Sequence, residues 1–153
     1  GASLISNVYV KATISVTTTS NAGVGGVLGW LYDDTIVENC IADVNFASST
    51  DFAKAGSIVG ISYSKIAKSI NNCYAITNGV TMSYTTDYTE YGGGTVVNQN
   101  TNPLGVPVNC ANYETGSAML DSATFNSADG WNSYWQVKAD GLYFGNKLVA
   151  TNA

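Results

Sequence analysis

Three tyrosines and two acids crowd one short stretch, Tyr84-Thr85-Thr86-Asp87-Tyr88-Thr89-Glu90-Tyr91. Tyrosine rings offer rigid amphipathic faces that stack on sugars or pack on proteins. Carboxylates beside them bond sugar hydroxyls or hold a cation. Tyr84, Asp87, Tyr88, Glu90 and Tyr91 are therefore the candidate ligand-binding residues, carried on a loop or protruding hairpin. The competing reading is a strand whose tyrosines cover one face of the molecule. A second acidic feature, Asp33-Asp34, follows Trp30-Leu31-Tyr32. Paired carboxylates serve calcium or glycoside hydrolysis. Adjacent acids in a turn more often bond their own backbone, although Asp43 with Asp33 or Asp34 is a conceivable hydrolytic pair.

The remaining inventory excludes most catalytic chemistry. There is no His, so no His-based triad and no His-ligated zinc. There is no Arg, and the six Lys are scattered at 11, 54, 65, 68, 138 and 147. Lyase chemistry on a sugar carboxylate needs clustered bases, and nucleic-acid binding needs clustered cations. Neither is present, so nucleic acid is not an expected partner. Cys40, Cys73 and Cys110 form no CxxC pair, which leaves no support for zinc or an iron–sulfur cluster. No catalytic residue, metal or cofactor is expected.

The 153 residues suffice for one domain with a core. Charged residues are only 11% of the chain, the net charge is −5, and 45% of residues are apolar. Polarity comes from 15 Ser, 16 Thr and 16 Asn, a balance that argues against disorder. No apolar run reaches the ~18 residues of a membrane span. The chain begins at Gly1 without a leader, as an excised fragment would, so the missing leader sets no limit on its destination.

Two interleaved series organise the chain. Asn7-Val8, Asn39-Cys40, Asn72-Cys73 and Asn109-Cys110 recur at nearly even spacing, the last interval a little longer than the others. Between them, Gly25-Gly26-Val27-Leu28-Gly29-Trp30 aligns with Gly56-Ser57-Ile58-Val59-Gly60-Ile61, one such interval later. A degenerate third copy, Gly94-Thr95-Val96-Val97-Asn98, follows after a longer gap. The flanking segments, such as Val8 to Val16, alternate and are rich in β-branched residues, the mark of strands. Helical periodicity is missing almost everywhere.

A shared period with strands and no helices predicts a β-solenoid, in which equal positions of successive turns stack ~4.8 Å apart. Val8, Cys40, Cys73 and Cys110 then form an interior column of inert, buried groups. Asn7, Asn39, Asn72 and Asn109 form an amide ladder, and the glycines mark sharp corners or positive φ. The alternative architecture, a β-sandwich, accounts for the strands but not for the paired intervals.

The glycine–aliphatic–aliphatic–glycine blocks, each followed by an Asn-Cys strand and completed at Asn72-Cys73-Tyr74-Ala75, resemble the GLUG-type repeats of bacterial surface proteins. Phe125, Trp131, Trp135, Gly141, Leu142 and Tyr143 stand in the order of the segment that closes such arrays. Val8 in place of Cys, Asn98 in place of Gly, and extra length at 84–109 depart from the pattern. The resemblance implies an extracellular or cell-surface location, often in adhesins, and no chemistry for the repeat itself.

The expectation is thus an all-β chain: a short right-handed parallel β-solenoid (β-helix) at residues 1–113, with coils near 4–34, 35–66 and 67–113. An aromatic C-terminal cap at 114–153 belongs to the same domain. Its expected role is that of a non-enzymatic structural spacer and adhesive, carbohydrate-binding module of a bacterial cell-surface or secreted protein. The partner is a host or cell-wall glycan or protein. A carbohydrate-processing β-helix enzyme is the alternative.

Overall fold

A computed structural model describes residues 3–16, 22–32, 34–48, 53–78, 81–82, 91–102, 105–126, 135–137 and 144–146. The chain is mostly strand with little helix. The first repeat supplies β1 (Ser3–Ser6), β2 (Tyr9–Val16), β3 (Ala22–Gly25) and β4 (Leu28–Leu31). The second supplies β5 (Thr35–Ser48) and β6 (Ala53–Ser62). After these come β7 (Ile70–Ile76), β8 (Thr81–Met82), β9 (Tyr91–Asn100) and β10 (Ala111–Tyr113).

Two stacks of parallel strands carry the architecture. In the first, β1 and β2 pair with β5, Ile5 opposite Val37 and Tyr9 opposite Ile41. Then β5 pairs with β7, Cys40 opposite Cys73, and β7 pairs with β10, Tyr74 opposite Ala111. In the second, β3 and β4 pair with β6, Gly25 opposite Gly56 and Leu28 opposite Val59. The last pairing, β6 with β9, begins at Gly56↔Thr95 and shifts by one residue to Val59↔Val97. The sequence intervals are thus register offsets. The third glycine block enters one residue later than its alignment on Gly94 suggests, and a bulge absorbs the difference. The start of β9 also pairs antiparallel with β5, Asn45↔Gly93 to Ala47↔Tyr91, which joins the two stacks.

The core lies between the stacks. Val37, Cys40, Ala42, Val44 and Phe46 of β5, and Ile70, Cys73 and Ala75 of β7, meet Ala55, Ile58 and Val59 of β6. Strict alternation would turn residue 39 inward after Val37, yet Cys40 is the inward residue. The step occurs at Asn39, whose φ of 55° places it in the left-handed region. Asn7, Asn72 and Asn109 share that conformation, with φ of 58°, 51° and 51°. Asparagine tolerates it better than other residues with a Cβ. Asn39 and Asn72 therefore bend β5 and β7 and reset which face points in, and Asn7 and Asn109 hold the same conformation just before β2 and β10.

The glycines act differently from expectation. A Cβ on Gly60 would lie within 3 Å of backbone atoms of Val24, Gly29 and Lys54, and none of Gly23, Gly25, Gly26, Gly29 or Gly60 has positive φ. They are required by close approach of backbone to backbone, and the positive φ values among the non-glycine residues belong to asparagines and Lys68.

The outer face of the first stack carries a second apolar cluster of Ile41, Tyr74 and Ile76. Two short helices, α1 (Gly116–Leu120) and α2 (Ala123–Asn126), cover it with Met119 and Phe125. Thr115 caps α1 by accepting from the Ala118 N–H at 3.1 Å, and the Ser122 hydroxyl accepts from the Phe125 N–H at 3.1 Å. Tyr74 stacks on Tyr113 at 6.2 Å and meets the edge of Phe125 at 5.3 Å. The chain just after residue 113 thus packs against the side of the strand stack as helix, where the sequence periodicity predicts none. Further on, β11 (Trp135–Val137) and β12 (Phe144–Asn146) form an antiparallel pair. Trp131, Gly141, Leu142 and Tyr143 of the expected cap lie outside the described residues.

Candidate ligand-binding surface

Of the proposed loop, Tyr84, Asp87, Tyr88 and Glu90 lie outside the described residues. Tyr91 opens β9, its backbone opposite Ala47.

A different aromatic group is well defined. In β4, Leu31 points into the core and is fully buried. Alternation turns its neighbours Trp30 and Tyr32 outward. The Tyr63 N–H donates to the Leu31 carbonyl at 2.8 Å, which sets Tyr63 beside Tyr32 on the neighbouring repeat. The rings of Tyr32 and Tyr63 lie 5.5 Å apart and 13° from parallel. Trp30 lies 5.5 Å from Tyr63 at 20°, and 6.3 Å from Tyr32 at 16°. Three nearly parallel rings therefore form one panel. Tyr32 keeps 59% of its surface exposed.

The panel rests on rigid elements. A Cβ on Gly23 would lie within 3 Å of the Trp30 indole, so the missing side chain seats the ring. Behind Tyr63, the Ser64 hydroxyl accepts from the Ile66 N–H at 3.1 Å and shapes the turn. On the following repeat, the N–H of Thr101 donates to the Ser62 carbonyl at 2.9 Å, so a threonine continues the column and the aromatic stack ends there. Asp34 and Lys65, two residues beyond Tyr32 and Tyr63 in the sequence, are exposed. An exposed π face binds the apolar face of a sugar ring or a partner side chain.

Comparison against family models, curated proteins and solved structures gave no match to this chain.

The ladder residues occupy equal positions in register. Cys40 sits opposite Cys73, and the Cys73 N–H donates to the Cys110 sulfur at 3.3 Å. All three thiols are free; Cys40 and Cys73 are buried and Cys110 is half-buried. Their S–H groups turn to backbone carbonyls, Cys40 to Glu38 at 3.2 Å and Cys110 to Val108 at 3.2 Å. Burial pushes the Cys73 thiol well above its ordinary pKa. Of the asparagines, Asn72 donates its amide to the Asn39 oxygen at 3.3 Å. The Asn72 side-chain oxygen is itself buried without a hydrogen-bond partner, so the amide chain does not continue through it. The shared property of these asparagines is the bend rather than a continuous ladder.

The conceivable hydrolytic pair is not assembled. Asp34 stands just before β5 and Asp43 beyond the middle of that bent strand, nine residues further on. At ~3.3 Å per residue that separation is on the order of 20 Å or more, beyond the roughly 5–9.5 Å a two-carboxylate mechanism needs. Asp33 lies outside the described residues.

The panel was legible in part. Extending the Gly25/Gly56 alignment by a few residues places Tyr32 on Tyr63, and that step alone would have found it.

Proposed function

We propose that the chain is a short right-handed β-solenoid that serves as a non-enzymatic, glycan-binding spacer module of a bacterial cell-surface or secreted protein. The observation that carries the binding role is the panel of Trp30, Tyr32 and Tyr63: three near-parallel rings, one of them largely exposed, on two hydrogen-bonded neighbouring repeats. An aromatic stack on a stiff support, with the Tyr32 ring largely exposed, loses little conformational entropy when a ligand settles on it. Parallel strands that pair in register from one repeat to the next support the solenoid. The tyrosine-rich segment 84–91 is a second contributor under the same proposal.

A glycan array run beside an extracellular-matrix protein panel tests it. Binding to a glycan that Tyr32→Ala and Trp30→Ala each reduce, with an unchanged circular dichroism spectrum, is the expected result. Binding that survives both substitutions but falls on replacing Tyr84, Tyr88 and Tyr91 moves the site to the loop. A matrix-protein hit in place of a glycan changes the ligand class, and blank arrays leave a passive spacer.

A further inference from the structure

The outer face of the first stack holds a second surface with different chemistry. Its rows run across the strands in register. Tyr9, Ile41 and Tyr74 form an apolar row, which the two short helices cover. One step along, Lys11 stands opposite Asp43; one step further, Thr13 stands opposite Asn45. These rows, together with Ile76 opposite Asp43 and with Thr115, line a groove of about 470 Å³.

The polar groups in it are organised. Asp43 is only 8% exposed, although it is a carboxylate on an outer face. The Asn78 amide donates to Asp43 Oδ1 at 2.7 Å and to Asn45 Oδ1 at 3.2 Å. Asn78 itself is held in the left-handed conformation at φ 56°. Its amide thus fixes two neighbouring side chains at once. It leaves a carboxylate oxygen of Asp43 as acceptor and the amide nitrogen of Asn45 as donor, with the Thr13 hydroxyl able to do either.

We infer that this groove binds one unit of a neutral saccharide, at a site separate from the aromatic panel. A sugar presents vicinal hydroxyls, each a donor and an acceptor, and a carboxylate beside an amide answers both capacities. The volume is in the range of small-molecule sites and exceeds a single pyranose ring. A divalent cation is disfavoured by Lys11 next to a single carboxylate, and a free anion by Asp43 itself.

Titration of the 15N-labelled chain with a panel of methyl glycosides, watched by heteronuclear NMR, tests the inference. At least one glycoside is expected to move the side-chain amide signals of Asn45 and Asn78 at about millimolar concentration, the range for so small a ligand. The indole signal of Trp30 reports the panel independently of Asn45 and Asn78, so the panel reading and this one fail separately. Asp43→Asn should weaken that response about tenfold or more. Thr13 is exposed, so Thr13→Val should weaken it several-fold in a chain that still folds, even if the Asp43 variant does not. Calcium chloride and sodium phosphate serve as rival probes. Signals that answer to either salt and to no glycoside, or to nothing in the folded protein, overturn the assignment.

Discussion

The two strand stacks turn their corners by opposite means. In the first, the bend is local: an asparagine in each repeat adopts positive φ, and the side chains on either side reverse their facing. In the second, the constraint is tertiary. Gly23, Gly29 and Gly60 have ordinary backbone angles but no room, because strands of the same and neighbouring repeats press backbone on backbone. A local device tolerates replacement by any residue that accepts the angle. A tertiary device tolerates nothing larger than hydrogen.

The largest expected effect follows from the second device. Gly60→Ala inserts a methyl among backbone atoms of Val24, Gly29 and Lys54, none of which can rotate away. A loss of about 3 kcal/mol or more is expected, at the upper end of overpacking effects, read as a fall in the urea midpoint or as failure to fold. An alanine that leaves the midpoint unchanged would remove the distinction between the two stacks.

At the asparagine bend the effect is smaller and divisible. Asn39→Ala should cost about 1–2 kcal/mol, the penalty of the left-handed region for an ordinary residue. Asn39→Gly keeps the angle and loses only the bond from Asn72, worth about 1 kcal/mol or less. Equal losses in both variants would assign the role to the amide bond instead of the angle.

The interior of the first stack adds a pH dependence. Burial holds the Cys73 thiol protonated above its ordinary range, so the folded chain keeps a proton that the unfolded chain releases. The contribution of this one thiol to stability should be level below about pH 8.5, its unfolded value, and fall as pH rises toward the folded one, by up to about 1.4 kcal/mol per pH unit. Tyr74, also raised by burial, adds to the decline only above its own ordinary value near 10. Urea midpoints at neutral and alkaline pH check this: Cys73→Ala should lower the midpoint at neutral pH and flatten the alkaline decline. The smallest effect on stability belongs to the panel. Tyr32→Ala should cost about 1 kcal/mol or less, since that ring is mostly exposed, while reducing glycan retention on an affinity column.

Much of the frame was legible because strand pairing preserves spacing. The Asn-Cys intervals reappear as the register of β5 on β2, β7 on β5 and β10 on β7. What each repeated residue does was less legible. Glycine and asparagine both accept positive φ, and only three-dimensional contact shows that the glycines here answer to crowding. The helices at 116–126 are a little over one turn each, too short for a helical period to emerge. Met119 and Phe125 give no sign in sequence that they cover Ile41 and Tyr74. The groove was illegible for a similar reason: Asp43, Asn45 and Asn78 come together only through strand register and one left-handed bend.

The bulge between Gly56 and Val59 has a wider consequence. Leu28 faces Val59, and Val59 in turn faces Val97, so the second of these steps spends distinctly more chain than the first. The β6–β9 pairing survives because the extra chain lies in the connection before β9, and one unpaired residue of β6 corrects the register. The hydrogen-bonded rise between neighbouring strands, ~4.8 Å, is therefore independent of how much chain each repeat spends. Insertions and deletions in the connections change what the molecule displays without changing its spacing, which frees the loops to diversify while the strand lattice stays constant.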